Sequence, residues 1–186
     1  LYAPVSWSPD GERLLVSVSL PQGIGLGIFT LADRAFELLP PDTGCCQAAW
    51  TANSQDILIA NPYPSMGLTG LWRYRLNGAE LTPLLTSPAD EATIAMVGWP
   101  YQAASGIILA FYTHSVFVDY EPLPVSLVSL SQELPPQIIP LRSETFSPLE
   151  VLWASDGSLA AAVIPSPGAA AWSASGTIVL IPTADT

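Results

Sequence analysis

A tryptophan recurs at the end of four similar short segments of this chain, and this repeat limits the possible folds more than any other feature. Each tryptophan closes a short apolar run, and a polar turn and a second apolar run come directly after it. The four segments are Pro4–Trp7, Gln47–Trp50, Met96–Trp99 and Glu150–Trp153, which places the tryptophans 43, 49 and 54 residues apart. A period of about 20–50 residues is typical of architectures in which every repeat forms one supersecondary unit.

Each unit continues with further elements of strand length. The polar turns are Ser8–Gly11, Thr51–Ser54, Pro100–Ala103 and Ala154–Gly157. The second elements are Leu14–Val18, Ile57–Ala60, Ile107–Phe111 and Leu159–Val163. The third elements are Leu26–Leu31, Leu71–Leu76, Val125–Leu130 and Thr177–Ile181. A fourth element closes the first three units, at Phe36–Leu39, Glu80–Leu85 and Gln137–Leu141.

Alternation within the third element of the second unit predicts a β-strand. Trp72, Tyr74 and Leu76 fall on one face, and the two arginines between them fall on the other. The Asn77-Gly78 pair that follows is typical of a tight hairpin, because both residues tolerate a positive φ. Asp10-Gly11 predicts a similar turn between the first and second elements of the first unit.

These elements predict an all-β protein made of four consecutive four-stranded antiparallel blades of a β-propeller. The expected blades cover residues 1–41, 42–88, 89–143 and 144–186, and the last one lacks its outer strand. A helical fold is excluded because 19 prolines occur in the chain. In addition, no apolar stripe holds a period of about 3.6 residues over a dozen positions.

The first unit also carries a recognisable motif. Val5–Val16, with the sequence Val-Ser-Trp-Ser-Pro-Asp-Gly-Glu-Arg-Leu-Leu-Val, resembles the WD40-like repeat of TolB-type β-propellers. The fourth unit matches this repeat in part, with Ala154 and Ser155 in place of Ser-Pro. The second unit keeps its tryptophan and a third strand that contains Trp72, and the third keeps little beyond Trp99. The resemblance implies a propeller fold but no particular activity, because propellers host many unrelated functions.

Members of this family have six or more blades, so the resemblance also implies that the four blades are an incomplete portion of a larger propeller. An open arc leaves two blade faces without a neighbour, and such faces are prone to aggregate. We therefore expect further blades or another subunit to cover tryptophan-rich surfaces at both ends of the arc.

The charge of the chain excludes several classes of partner. It has five arginines, no lysine and sixteen acidic residues, for a net charge of −11. Nucleic acids and anionic membrane surfaces are excluded because both require clustered basic residues. Proline and glycine interrupt the two long stretches without charge, 92–118 and 158–184, so each predicts a pair of buried strands and not a membrane-spanning helix.

Few residues suit a catalytic or metal site. Cys45-Cys46 leaves open two unbonded thiols, a bond between the neighbours, a bond to another segment, and a metal site, with unbonded thiols expected. His114 is the one histidine, and with Ser115 beside it and no Gly-x-Ser-x-Gly motif it is expected at a strand end and not in a catalytic triad. Asp90-Glu91 and Asp119–Glu121 lie in expected loops, as solvated charge or as calcium ligands. We expect no catalytic, cofactor-binding or metal-binding residue.

Two other patterns suggest ligands at first sight. Gly23, Gly25 and Gly27 form a Gly-x-Gly-x-Gly sequence. Its spacing differs from the dinucleotide-binding fingerprint and no helix follows, so a flexible connection between two strands is expected. The four repeated tryptophans suit either a sugar platform or the core between blades, and their equivalent positions favour the core.

The sequence therefore predicts no enzyme and no cofactor. We expect a non-catalytic protein-binding or scaffolding propeller segment that presents its loops (61–70, 113–124 and 165–175) and open blade edges to protein partners. One alternative is the non-catalytic propeller of a prolyl-oligopeptidase-like serine peptidase whose hydrolase domain lies outside this chain. Another is a propeller enzyme of a different class whose active residues lie in blades outside this chain. The TolB-type resemblance and the acidic, lysine-free composition favour a bacterial protein in the periplasm or at the cell surface, with a missing segment as a membrane tether.

Overall fold

The computed structural model describes residues 2–21, 23–40, 43, 47–61, 69–86, 93–103, 105–115, 125–131, 135–140, 150–154, 158–165 and 176–182. Fifteen β-strands form within these residues, and this part of the chain contains no α-helix. Many of the strands are rich in Val, Ile and Leu, which fit a pleated and half-buried surface. The expected all-β fold is confirmed.

The strands form four antiparallel sheets, and neighbours along the chain are neighbours in the sheet. Blade 1 contains β1 (Tyr2–Trp7), β2 (Arg13–Leu20), β3 (Gly23–Thr30) and β4 (Phe36–Leu38). Blade 2 contains β5 (Gln47–Trp50), β6 (Asp56–Asn61), β7 (Gly70–Arg75) and β8 (Glu80–Leu85). Blade 3 contains β9 (Thr93–Gln102), β10 (Ile108–Ser115), β11 (Val125–Leu130) and β12 (Gln137–Pro140). Blade 4 contains β13 (Glu150–Trp153), β14 (Leu159–Pro165) and β15 (Gly176–Pro182).

The predicted blade boundaries, between residues 41 and 42, 88 and 89, and 143 and 144, all lie outside the described residues. The division of the chain at residues 41, 88 and 143 therefore stays a prediction. The two uncharged stretches do form strands, because the first contains β9 and β10 and the second contains β14 and β15.

Each blade has two faces, and the pairing register shows which residues share one. Residues directly opposite each other in antiparallel strands point to the same side of the sheet. In blade 1, Trp7, Leu14, Phe29 and Phe36 are paired in turn and form one row across all four strands. We call the side that carries this row the front face, and the opposite side the back face.

The same row recurs in the other blades. Trp50 pairs with Ile57 in blade 2 as Trp7 pairs with Leu14 in blade 1. Trp153 pairs with Ala160 in blade 4 in the same way. The register thus confirms that the tryptophans of units one, two and four are equivalent.

The third unit departs from the predicted repeat. Gln102, and not Trp99, pairs with Ile108 at the position that the tryptophans occupy in the other blades. The expected equivalence of Trp99 is therefore wrong. Because β9 continues to Gln102, the turn expected at Pro100–Ala103 is wrong as well.

A bulge in β9 explains this error. Val97 pairs with Phe111 and Tyr101 pairs with Leu109, so three residues of β9 lie opposite a single residue of β10 between these two pairs. The added residues lengthen β9 and move its end away from Trp99.

Gly23, Gly25 and Gly27, expected in a flexible connection, lie within β3, so that expectation is wrong. The pairing of β2 with β3 extends to Leu20 opposite Gly23. A side chain at position 27 has no room, because the ring of Phe36 occupies the space that a Cβ would need. This glycine lets a large side chain of the neighbouring strand lie flat on the sheet.

The predicted tight hairpin at Asn77-Gly78 is confirmed, because the N–H of Ala79 donates to the backbone oxygen of Leu76 at 3.5 Å and makes these two residues the centre of the turn. β7 ends at Arg75 and β8 begins at Glu80, so four residues connect them. The positive φ angles are those of Gly78 (103°) and Ala79 (50°). The positive φ angles therefore fall on Gly78 and on the residue after the pair, and not on Asn77.

Two hydrophobic clusters lie between the blades. The first joins the back face of blade 1 to the front face of blade 2 and contains Leu15, Leu26, Ile28, Leu39, Ala48, Trp50, Ile57, Ile59 and Tyr74. The second joins the back face of blade 2 to the front face of blade 3 and contains Leu58, Ala60, Leu71, Met96, Ile108, Ala110, Tyr112, Val128 and Leu130. The blades thus stack front on back in chain order.

Candidate interaction faces

Most residues that the sequence offers for chemistry lie outside the described residues. This holds for Cys45-Cys46 and for the acidic pairs Asp90-Glu91 and Asp119–Glu121. The backbone of His114 lies in β10, opposite Ile94 and one residue before the strand ends. Among the described residues, no group of three or more His, Cys, Asp and Glu side chains is arranged to hold a metal ion. Among the described residues, the candidate functional surfaces are therefore the faces of the blades.

We call the interface between two consecutive blades a joint. The joint between blades 1 and 2 shows how the front face of a blade is buried against the preceding blade. The indole N–H of Trp50 donates to the backbone oxygen of Ser6 in β1, at 3.2 Å. The guanidinium of Arg13 lies over the same indole, 5.9 Å from the ring centroid. Trp50 keeps 8% of its surface exposed, and Ile57 in the same row is fully buried. For Trp50, the predicted role in the core between blades is confirmed.

The front row of blade 2 continues to Tyr74, which is also buried in this joint. Burial raises the pKa of the Tyr74 hydroxyl, and the carboxylate of Glu37 from blade 1 raises it further. Both effects disfavour the charged phenolate, so the hydroxyl stays protonated at neutral pH.

Two hydrogen bonds connect the blades at one end of this joint. The backbone N–H of Asp10 donates to Oγ of Ser54 at 3.0 Å, and Nη1 of Arg13 donates to the backbone oxygen of Ser54 at 3.1 Å. The Ser-Pro-Asp-Gly turn of blade 1 thereby binds the corresponding turn of blade 2. We call these two bonds the Ser54 clasp.

The two turns have the same internal bonds although their sequences differ. In blade 1, Oδ1 of Asp10 accepts from the hydroxyl of Ser8 and from the N–H of Glu12. In blade 2, Oδ1 of Asn53 accepts from the hydroxyl of Thr51, at 2.8 Å, and from the N–H of Gln55, at 3.0 Å. The Ser8 hydroxyl, and after it the Glu12 N–H, lower the pKa of Asp10.

In the joint between blades 3 and 4, a front-face tryptophan again packs on the preceding blade, here against aromatic rings. Trp153 stacks on Phe111 of β10, with centroids 5.1 Å apart, and on Tyr101 of β9, with centroids 5.9 Å apart. Both partners belong to the back face of blade 3. A front-face tryptophan therefore contacts the preceding blade in each of these two joints.

The front face of blade 1 is open. Trp7 is 56% exposed, although its register matches that of Trp50. Phe36 and Leu38 of β4 lie on the same face and are exposed as well. For Trp7 the role in the core between blades stays a prediction, because no described blade lies in front of it, and its exposure fits the tryptophan-bearing surface that we expect at one end of the arc.

The back face of blade 4 is open in the same way. Leu152 pairs with Ala161, and Ala161 pairs with Leu180, so these residues share the face opposite to Trp153. Leu152, Leu180 and Ile178 are 55%, 60% and 68% exposed. In blade 1 the residue that corresponds to Leu180 is Ile28, which is 4% exposed beneath blade 2. We call the two surfaces the open front face and the open back face.

A cleft of about 330 Å³ adjoins the open front face. It lies between β1 and β5 and is lined by Val5, Ser6, Trp7, Pro9, Ala48, Ala49 and Trp50. Oγ of Ser6 is buried and has no hydrogen-bond partner among the described residues. This lining is mostly apolar and contains no acid or base, so it suits contact with an apolar surface and not proton transfer.

Meander blades that stack front on back define the fold as a β-propeller, present here as part of one. No protein-family model matches the sequence, and no curated protein matches it. The chain is similar to several solved structures of propeller proteins. For TolB from Agrobacterium tumefaciens the TM-score is 0.54 with 15% identity, over 74% of this chain and 48% of that one.

Two enzymes are similar over nearly the whole chain. An oligogalacturonate lyase, solved in complex with manganese, gives a TM-score of 0.66 with 12% identity over 97% of this chain and 49% of that one. Puromycin hydrolase gives 0.65 with 16% identity over 100% of this chain and 27% of that one. The chain thus spans less than half the length of each of these three proteins. At such low identities the likeness establishes the fold, and the TolB-type resemblance is supported at that level.

In the part of the chain that the structure describes, no helix has the length and apolar character needed to cross a membrane.

Proposed function

We propose that this chain is a non-catalytic propeller segment that binds protein through its blade faces and loops. The observation that carries this proposal is the pair of open faces. Trp7 is 56% exposed, whereas Trp50 in the same register is 8% exposed, and Leu180 is 60% exposed, whereas its counterpart Ile28 is 4% exposed. Contiguous exposed apolar surface of this kind marks protein interaction sites.

An affinity capture tests the proposal directly. The immobilised chain is exposed to extract of the organism that produces it, beside a Trp7→Asp variant and an Ile138→Asp control. Ile138 is an exposed apolar residue on β12, away from both open faces. We expect the wild type and the control to retain a protein in stoichiometric amount and Trp7→Asp to lose it. Equal capture by all three proteins, or no stoichiometric capture, contradicts the proposal.

A second candidate is the non-catalytic propeller of a larger serine peptidase of the prolyl-oligopeptidase type. Its support is the similarity to puromycin hydrolase, which extends over 100% of this chain. The parent reading frame tests it, because a peptidase of this type requires a continuation with Gly-x-Ser-x-Gly followed by Asp and His. A parent frame without that continuation removes this candidate.

We further propose a location outside the bacterial cytoplasm. The support is the TolB-type motif at Val5–Val16 and the acidic composition without lysine. Fractionation of producing cells, with a cytoplasmic and a periplasmic marker measured in each fraction, tests this. Recovery with the cytoplasmic marker contradicts it.

A further inference from the structure

We infer that the cleft between β1 and β5 binds an aromatic side chain of a protein partner, at a position where the chain itself places a tyrosine in another joint. This inference rests on the proposed function, because it takes the partner to be a protein, and it goes further by naming the group that binds and the site that receives it. Blades 1 and 2, which form the two walls of the cleft, are consecutive blades of the described chain.

The pairing register identifies Ser6 of blade 1 and Tyr101 of blade 3 as corresponding residues. Ser6 pairs with Leu15 of β2, and Tyr101 pairs with Leu109 of β10. In each blade this pair lies next to the front-row pair of the first two strands. Both side chains therefore lie on the back face of their blade, towards the blade that follows.

The two corresponding residues differ in what they place beside the tryptophan of the following blade. The ring of Tyr101 stacks on Trp153, with the ring centroids 5.9 Å apart. Ser6 provides Trp50 with a backbone oxygen that accepts the indole N–H at 3.2 Å, but with no ring. The cleft of about 330 Å³ lies at this place and is lined by both Ser6 and Trp50. The joint between blades 1 and 2 thus lacks a ring that the joint between blades 3 and 4 contains.

A bulge in β1 gives the cleft its shape. The pairing register shifts between Pro4 and Ser6, so Val5 is the extra residue of the strand. Val5 packs against the hydrophobic cluster that blades 1 and 2 share, and Ser6 pairs with a residue of that cluster. Both side chains therefore face blade 2. The opposite wall is formed in part by Ala48 and Ala49, so small side chains lie on both sides.

The lining favours a single neutral ring as the occupant. Among the described residues that line the cleft, no side chain is charged, and Trp7 contributes an aromatic surface that is 56% exposed. Aromatic pairs attract each other beyond what their buried area provides. A volume of about 330 Å³ lies near the lower end of the range of ligand pockets, so it suits one side chain better than a large molecule. Buried aromatic residues of this kind are typical anchors of protein interfaces.

The first test is the binding of N-acetyltyrosinamide to the whole chain, followed by NMR of the indole N–H signals. We expect the signals of Trp7 and Trp50 to shift, with a dissociation constant on the order of 1 mM for a probe of this size. N-acetylleucinamide is expected to bind about 2–10-fold more weakly, because it has no ring. Equal binding of the two probes, shifts confined to other tryptophans, or no shift at about ten times the expected dissociation constant overturns the inference.

The variant Ser6→Tyr places a ring of the chain itself in the cleft, as Tyr101 does in the other joint. It is expected to lose the N-acetyltyrosinamide shifts and to raise the Tm by a few degrees, because a filled cavity adds apolar contact. Ser19→Tyr is the matched control, since Ser19 is exposed on β2 and does not line the cleft. This control is expected to bind the probe as the wild type does. A folded Ser6→Tyr chain that still binds the probe contradicts the inference.

The variant Trp7→Ala decides the question where Ser6→Tyr does not fold. Trp7 is largely exposed, so its removal is expected to leave the fold intact while one aromatic wall of the cleft is lost. We expect N-acetyltyrosinamide to bind this variant about 2–10-fold more weakly. An unchanged dissociation constant overturns the inference.

Affinity capture from extract separates this inference from the proposed function. Ser6→Tyr fills the cleft but leaves the exposed residues of the open faces unchanged. A partner that the wild type retains and that both Ser6→Tyr and Trp7→Asp lose supports the inference. A partner that Ser6→Tyr retains and Trp7→Asp loses overturns the inference while supporting the proposed function. Capture of no stoichiometric partner contradicts both.

Discussion

Blades 1 and 2 present the same front row in the same register, but only blade 2 has a described neighbour in front of it. Trp50 lies beneath a guanidinium and donates its indole N–H to a backbone carbonyl, whereas Trp7 remains largely in solvent. Each tryptophan pairs with the corresponding residue of the second strand, so this pairing alone does not decide burial. In a repeat protein, burial of a repeated residue depends on the adjacent repeat.

Separate alanine substitutions of Trp7 and Trp50 test whether the two side chains contribute differently to stability. Trp50→Ala is expected to reduce the free energy of unfolding by about 3–5 kcal/mol, because it leaves a cavity in a closed joint. Trp7→Ala is expected to change it by no more than about 0.5 kcal/mol in dilute, monomeric protein, as for other exposed residues. Urea unfolding followed by circular dichroism measures both, since this signal does not depend on the removed indole. Equal losses in the two variants contradict the difference in packing.

Arg13 allows the polar part of the joint to be measured. Arg13→Met keeps most of the aliphatic stem but removes the bond to the backbone of Ser54 and the charge over Trp50. The expected loss is about 1–2 kcal/mol, from one charge-assisted hydrogen bond and one partly exposed cation–π contact.

Arg75→Met is the control for Arg13→Met. Its guanidinium is half exposed and pairs with Glu80 at 3.4 Å, so its removal is expected to cost less than about 1 kcal/mol. The same urea titration compares the two variants. An Arg13 variant no less stable than the Arg75 variant shows that the joint is held by apolar contact alone.

The backbone conformation of the two turns contributes to stability by an amount similar to that of Arg13. Gly11 in blade 1 has a φ of 73°, and Ser54 has a φ of 59° at the same position in blade 2. Gly11→Ala is expected to cost about 1–2 kcal/mol, because a residue with a Cβ is strained in this region. Ser54→Gly relieves that strain but removes the acceptor for the Asp10 N–H, so the two effects oppose each other and the net change is smaller. Thermal unfolding of both variants checks this order, and a larger loss for Ser54→Gly shows that the Ser54 clasp outweighs the strain.

Much of the fold could be predicted from the sequence because strand periodicity is a local property. Glu80–Leu85 and Val125–Leu130 begin and end where the pattern indicates. Trp72 and Tyr74 face the joint with blade 1, as the alternation predicts. Pairing partners also follow, since short turns force neighbouring strands together.

The errors have physical causes that do not act locally. The bulge in β9 separates Trp99 from its expected position, and a bulge depends on the partner strand as much as on its own residues. Gly27 lies in a strand because the Phe36 ring needs the space, which the glycine spacing does not indicate. The repeat position of Trp7 predicts the face on which it lies but not its exposure, because burial requires a neighbouring blade. The interaction faces are therefore the features that the sequence of a single unit predicts least.

The smallest expected effect is a pH dependence of stability that arises from the turn of blade 1 and not from the turn of blade 2. The hydrogen bond from Ser8, followed by that from Glu12, lowers the pKa of Asp10 below its usual value of 3.8, whereas Asn53 accepts the same bonds in blade 2 without titrating. A lowered pKa means that the folded state binds this proton less tightly than the unfolded state. The resulting stabilisation is present above the unfolded pKa and is lost as the pH falls through the lower folded pKa. Asp10→Asn keeps the Oδ1 acceptor but removes the titration, so the wild type is expected to have a slightly higher Tm near neutral pH. That difference is expected to shrink towards zero in strong acid, and parallel Tm curves over the whole range contradict a role for the Asp10 charge.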